Sequence, residues 1–227
     1  MCSGALMAAV ESSAAHGRFH EDLGIWTWIA AQPLVEVRPA LFLDRDGVIV
    51  QDPGYLSRVA DLALIPGAAD LIASANRRGI PVVEITNQAG IGRGYYGWNE
   101  FLQVEEALAR ELASRGAAID AVFACPYHRD GIPPWTHLAH PARKPRPGML
   151  LAAERFLNLD LKHSWIVGDK LGDLLAGYNA GLHGGLHVLT GQGPEHRQFV
   201  LEWSPKSFEV RFGDSIRDAA TLVGMLG

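Results

Sequence analysis

Ala40-Leu41-Phe42-Leu43-Asp44-Arg45-Asp46-Gly47-Val48 is a short apolar run that stops on two acids separated by one residue. A run of this length bounded by acid and glycine reads as a buried strand with a charged C-terminal end. Two carboxylates so close repel each other unless a cation neutralises them or one keeps a proton. A divalent metal meets that need, and hard oxygen ligands suit magnesium.

Working outward, short apolar runs rich in β-branched residues alternate with longer segments at helical spacing. The runs at 40–43, 81–85, 121–124, 164–167, 185–189 and 208–211 read as strands, and 67–78, 98–115, 148–157, 171–180 and 214–225 as helices. The alternation predicts repeated βαβ units, hence an α/β fold with a doubly wound parallel sheet. The interval from Asp46 to Thr86 holds a flap and one helix, which leaves no room for a large cap domain.

A chain of 227 residues with 48% hydrophobic and 20% charged residues buries a sizeable core and is not disordered. A net charge of −5 without a long basic run excludes a broad footprint for nucleic acid or an anionic membrane. The two cysteines, Cys2 and Cys125, exclude a disulfide framework and place the chain in a reducing cytoplasm. The early apolar run 5–10 has no basic residue before it, so it is not a signal peptide, and no stretch approaches the ~20 apolar residues of a membrane helix.

Residues 1–38 read as an N-terminal extension, with 1–23 a loose tail and 24–38 docked on the main domain, 39–227, through Ile25, Trp26, Trp28 and Ile29. Trp98 and Trp165 read as core. The one long irregular stretch, 126–147, carries Gly131, Pro133, Pro134, Pro141 and Pro145 and is too long for an idle connection.

Polar residues gather at the strand ends, where open α/β sheets bind ligands. The run Val82 to Ile85 releases Thr86, Asn87 and Gln88, neutral donors for phosphoryl oxygens, and Ala89 to Gly94 follows as flexible backbone whose amides approach an anion. Arg143, Lys144 and Arg146 are three cations at a helix entrance in an acidic chain. Trp165 to Gly168 ends on Asp169 and Lys170, with Asp173 one turn later. Gly92-Arg93-Gly94-Tyr95-Tyr96-Gly97 satisfies a dinucleotide-binding pattern, but it lies past the strand end and lacks the distant acid, so it is set aside.

Taken in order, Asp-x-Asp, Thr, Lys and Asp-x3-Asp at four strand ends resemble the haloacid dehalogenase (HAD) superfamily of phosphatases, over residues 40 to about 191. Phe42 to Gly47, Asp52-Pro53-Gly54-Tyr55, Thr86 to Gly94, Arg143 to Leu150 and Val167 to Lys170 resemble its heptose-bisphosphate phosphatase group, close to the histidinol-phosphatase domain. The resemblance implies Asp44 as nucleophile, Asp46 as general acid and base, and Thr86 and Lys144 on the transferring phosphoryl group. It implies a magnesium site at Asp44, Asp169 and the backbone carbonyl of Asp46. Arg143, Asn87, Gln88 and Asp52 to Tyr55 match substrate-recognising positions, and Asp173 a residue that orients Lys170 or a metal-bound water. The implied substrate is a heptose 1,7-bisphosphate cleaved at the 7-phosphate, with histidinol phosphate or another small phosphorylated metabolite as the rival.

The chain departs from that group in the long loop. Relatives carry a zinc pattern of Cys-x-His followed by Cys-x-Cys; here Cys125 is kept, Tyr127 replaces the histidine, and His140 and Ala142 replace the two cysteines. A displaced zinc site would draw on Cys125, His128, His137 and His140. Two non-catalytic readings remain. A receiver domain stores phosphate on an Asp but keeps its other acids ahead of that residue, and an interaction protein has no need of the full acid set. The partner expected is a small phosphorylated metabolite, with no nucleic acid or membrane, and the chain a monomer or small homo-oligomer.

Overall fold

A computed structural model describes residues 17–30, 36–203 and 205–226. In chain order these form β1 (Arg18–His20), β2 (Ile25–Ile29), β3 (Leu41–Leu43), α1 (Ala68–Arg77), β4 (Val82–Asn87), α2 (Ala89–Gly92), α3 (Trp98–Ala113) and β5 (Ala121–Cys125). There follow α4 (Gly148–Leu157), β6 (Trp165–Gly168), α5 (Leu171–Ala180), β7 (Gly184–His187), α6 (Gly193–Glu202), β8 (Glu209–Phe212) and α7 (Ala220–Leu226). All eight strands join one sheet in the order β1-β2-β5-β4-β3-β6-β7-β8. The six strands from β3 onward run parallel, and β1 and β2 add antiparallel at one edge.

Leu41, Phe42 and Leu43 are wholly buried and offer no polar atom beyond the backbone, so β3 takes the middle of the sheet, where both faces are covered. Leu41, Leu43, Val82 and Val122 pack on one face under Leu71 and Ile72 of α1 and Phe101, Val104 and Leu108 of α3. Phe42, Val83, Ile85 and Phe123 pack on the other under Met149, Leu150 and Leu157 of α4 and Leu174 of α5. The chain builds leftward from β3 through β4 to β5, then crosses over to β6 on the other side. The reversal places a crevice at the C-terminal ends of β3 and β6, the position at which doubly wound sheets bind ligands. Between β3 and β4 only a single 3-10 turn, Val59–Asp61, and α1 intervene, so no large cap covers that crevice.

Four sequence expectations change. The tail expected to run loose to residue 23 instead enters the sheet at Arg18: β1 and β2 form a hairpin whose second strand pairs Trp26, Thr27, Trp28 and Ile29 with β5. The sequence pattern did not show it because β1 has only three residues. Helix α6 was not anticipated, and within it only Gly193 and Val200 are buried, too few to leave a helical period. The helix expected over 214–225 is a 3-10 turn, Ile216–Ala219, that continues as α7. Ala89 to Gly94, read as flexible backbone, begins as the helical turn α2 with Gly90, Ile91 and Gly92 buried. Residues 1–16 and 31–35 of the extension lie outside the described residues. Among the described residues no helix is long and apolar enough to cross a membrane.

Trp26 anchors the hairpin: it is 2% exposed and meets the edge of Phe101 at 5.3 Å. Trp26→Ala is expected to cost about 3–5 kcal/mol of folding free energy, measured by urea unfolding, because the hairpin cannot collapse into the vacated space.

Candidate active site

The ends of β3 and β6 deliver acids, the start of α5 a third, and the long loop a cation. Asp44 leaves β3 with its amide on Val167 O at 3.1 Å, and Asp169 leaves β6 beside it. One carboxylate oxygen each of Asp44, Asp169 and Asp173 lies within 4.8 Å of the others, and all three residues are buried. Gly47 permits this closeness: it has φ +87, and a Cβ there would fall 2.4 Å from Asp169 Oδ2.

Lys144 is carried into the cluster from the long loop. Its Nζ donates to Asp44 Oδ1 at 2.9 Å, Asp173 Oδ1 at 2.6 Å and Ile85 O at 2.8 Å, which uses all three ammonium hydrogens. Burial works to lower its pKa, but Asp173 and Asp44 outweigh it and hold the amine above its usual range. Asn87 locks the loop in place, exchanging two 3.1 Å hydrogen bonds with the Lys144 backbone. Asp169 is raised to about 7, first by burial and then by the charges of Asp173 and Asp44. Its Oδ2 accepts from Gln192 N at 2.8 Å, while Oδ1 is buried with no hydrogen-bond partner. Oδ1, with no hydrogen bond and only the Lys170 ammonium at 3.7 Å, faces two further carboxylates, and this all-oxygen donor set fits magnesium.

Asp46 sits apart from the trio. Arg45 Nη2 donates to its Oδ2 at 3.0 Å and its Oδ1 at 3.1 Å, and Gln88 Nε2 to its Oδ2 at 3.3 Å. Burial, opposed by Arg45, leaves its pKa raised. The Gln88 amide also donates to Thr86 Oγ1 at 2.8 Å and accepts from the Tyr96 hydroxyl. Gln88, read as a substrate contact, is therefore engaged internally, and it is 1% exposed.

These residues meet at a cavity of about 400 Å³ lined by Asp44, Asp46, Asp52, Gly54, Tyr55, Asn87, Gln88, Arg143, Lys144 and Lys170, among others. Thr86 and Asp169 are buried and do not line it, and Pro53, read with its neighbours as a substrate contact, is exposed and does not line it either. Arg143 Nη1 donates to Tyr127 O at 3.0 Å. Of the two roles expected for Asp173, its Oδ1 holds Lys144 and its Oδ2 accepts from the Lys170 backbone rather than meeting the Lys170 ammonium, while its place beside Asp44 and Asp169 is compatible with the other, orienting a metal-bound water. Tyr96 and Gln192 line the cavity without having been anticipated. Both lie in segments with no strand-end signature.

Cys125, His128, His137 and His140 do not assemble into a zinc site. Among the described residues the three aspartates are the only set of three or more acidic, histidine or cysteine groups that converge. Burial pushes the Cys125 thiol up to about 12, so it stays protonated. The Nδ1 atoms of His128, His137 and His140 each accept the amide two residues on, at 3.1, 3.0 and 3.2 Å. Aromatic packing holds the loop instead. Tyr127 stacks on His140 at 3.9 Å and 1° and meets the edge of Trp135 at 5.5 Å. The hairpin closes over this stack at Gly24, where a Cβ would fall 2.4 Å from the His140 ring.

Comparison with known proteins agrees with this geometry. A HAD-hydrolase-like family model matches residues 141–207. The D-glycero-β-D-manno-heptose-1,7-bisphosphate 7-phosphatase of Mesorhizobium japonicum is 52% identical over 144 residues, covering 63% of this chain and 66% of the relative. Its namesake from Pasteurella multocida is 37% identical over 171 residues, covering 73% and 92%. Among solved structures, a HAD-like phosphatase from Mesorhizobium loti superposes with a TM-score of 0.79 at 39% identity, covering 91% of this chain and 95% of its own. The D,D-heptose 1,7-bisphosphate phosphatase of B. bronchiseptica, complexed with magnesium and phosphate, gives 0.70 at 29% identity, covering 83% and 99%.

Two outcomes follow from the loop. Elemental analysis is expected to find no stoichiometric zinc, and a zinc chelator to leave the melting temperature unchanged. His140 is pushed down to about 4 from 6.5, by burial first and His137 second. The folded chain keeps this ring neutral while the unfolded chain protonates it, so its contribution to stability is complete above about pH 6.5 and is lost as pH falls toward 4. His140→Phe, which preserves the stack, is expected to flatten that part of a plot of denaturation midpoint against pH.

Proposed function

We propose, for a chain that belongs to the HAD-like phosphatases, that its substrate is a sugar phosphate and that Asp44, Asp46, Thr86 and Lys144 carry the reaction. The observation that supports this best is the Lys144 ammonium held between Asp44 and Asp173 at 2.9 and 2.6 Å, with Asp46 two residues from Asp44 on the same cavity. Lys144 turns Asp44 toward an incoming phosphorus and neutralises charge on the phosphoryl group in flight. Asp44 attacks phosphorus and the bond to the leaving oxygen breaks, giving an aspartyl-phosphate. Asp46 gives its proton to the departing alkoxide, then takes one from the water that hydrolyses the acyl phosphate and so restores Asp44.

Magnesium held by Asp44, Asp169 and the backbone carbonyl of Asp46 would supply the positive charge that lets a phosphate dianion approach these carboxylates. Asp52, Gly54, Tyr55, Asn87, Arg143 and Lys170 line the remainder of the cavity and are the groups offered to the rest of the substrate. Its volume of about 400 Å³ suits one compact metabolite rather than a polymer. The curated relatives favour D-glycero-D-manno-heptose 1,7-bisphosphate, cleaved at the 7-phosphate.

Turnover against a panel that includes this bisphosphate, histidinol phosphate and simple hexose phosphates tests the substrate, with the heptose ester expected to give the highest kcat/KM and a preference for any other member overturning that choice. Asp44→Asn is expected to lower kcat by about a thousandfold or more while leaving the fold intact, since a carboxamide cannot form the acyl phosphate. Chelation of divalent ions should abolish turnover, and added magnesium should restore it.

A further inference from the structure

Arg45, the residue between the two motif acids, has a side chain with no solvent exposure. A buried guanidinium requires carboxylate partners, and this one has two, on opposite sides. Its Nε and Nη2 form a fork on Asp46, at 3.3 Å to Oδ1 for Nε, and at 3.1 Å to Oδ1 and 3.0 Å to Oδ2 for Nη2. Its Nη1 donates to Glu105 Oε1 at 2.7 Å. The guanidinium carbon lies 5.5 Å from the Phe101 ring centroid, so the group is held at both ends and over one face. Glu105 belongs to α3, sixty residues away in sequence and in none of the strand-end motifs, and its side chain is 11% exposed.

We infer that Glu105 is a positioning residue for Asp46, acting through Arg45. The fork fixes the plane of the Asp46 carboxyl only if the guanidinium is itself fixed, and the short bond to Glu105 is what prevents it from turning about its side-chain torsions. Loss of Glu105 therefore moves the Asp46 carboxyl relative to the leaving oxygen, where small displacements are costly. The inference rests on the reading of Asp46 as the proton donor.

The test compares kcat/KM for the best sugar phosphate with kcat/KM for 4-nitrophenyl phosphate. Nitrophenolate departs without a proton, so a misplaced Asp46 slows the first ester far more than the second. Glu105→Gln keeps the shape and an acceptor but loses the charge. It is expected to lower kcat/KM for the sugar ester about thirtyfold and for the aryl ester about threefold at most, the larger figure being a fraction of what a general acid contributes. Arg45→Lys, which has no fork, should show the same split. Glu84→Gln is the control: Glu84 is a wholly buried neighbour with no hydrogen-bond partner for either carboxyl oxygen, and it should change neither value.

Equal losses on both esters in Glu105→Gln, or no loss on either, overturn the inference. If Glu105→Gln does not fold, as judged by its melting curve, Glu105→Asp is read by the same ratio and the same criteria. Asp46→Asn separates the two layers of argument. If it retains sugar-phosphate turnover, the acid role of Asp46 is wrong; if it abolishes turnover while Glu105→Gln shows no split, only the role of Glu105 is wrong.

Discussion

Three carboxylates crowd the C-terminal edge of the sheet with the Lys144 ammonium among them and the Lys170 ammonium 3.7 Å from Asp169, and the rest of the molecule is arranged around their mutual cost. Asp44, Asp169 and Asp173 would repel strongly in a buried setting, and Lys144 offsets part of that repulsion with two of its three hydrogens, the third going to Ile85 O. Lys144 comes from the far end of a long loop, so the loop must be held firmly enough to keep an ion pair below 3 Å. Asn87 does this from β4 by pairing with the Lys144 backbone, and the Tyr127–His140 stack does it from within the loop. The residual charge imbalance is visible in Asp169, raised to about 7 with one oxygen that has no hydrogen bond and only the Lys170 ammonium at 3.7 Å, and it favours a divalent cation there.

A second buried charge system lies behind the first and is built on a different principle. Arg45 is matched by Asp46 and Glu105, and it needs no added ion. Its neighbour Glu84 is pushed well above the usual carboxylate range by burial, with Glu105 adding to the effect, where it lies among Trp26, Trp28 and Val122. One cluster is left electrically incomplete, which is the condition that favours a metal and a phosphate there. The other is closed and serves to hold a side chain still. The same strand end feeds both, through Asp44 on one side and Arg45 on the other.

The N-terminal hairpin connects these systems to the edge of the fold. Trp26 packs on Phe101, the ring under the Arg45 guanidinium, and Gly24 closes on the His140 ring that stacks with Tyr127. The hairpin thus contacts both the helix that supplies Glu105 and the loop that supplies Lys144. Where the resemblance implied a zinc pattern in that loop, this chain has an aromatic stack with its imidazole Nδ1 atoms bound to local amides.

Much of this was legible in the order of residues. The alternation from Ala40 onward sets the parallel sheet, because buried strands must be apolar and the groups that follow them must be polar. Asp44 and Asp169 stood out because charge at the end of an apolar run has few structural uses, and Lys144 because it is one of three cations at a helix entrance in an acidic chain. Arg45 and Glu105 did not, since a buried Arg between two acids looks like any charged turn and Glu105 is one of several acids on an amphipathic helix. The hairpin was hidden by its length, and the zinc candidates were suggested by residue type and spacing in a loop where the resemblance implies a zinc pattern. Sequence by itself determines which side chains are available at each strand end, because periodicity is local. Which of them meet, which carboxylate oxygen is left without a hydrogen bond, and whether a cysteine and three histidines converge are decided only by the tertiary structure, because burial and approach within 3 Å depend on elements sixty residues apart.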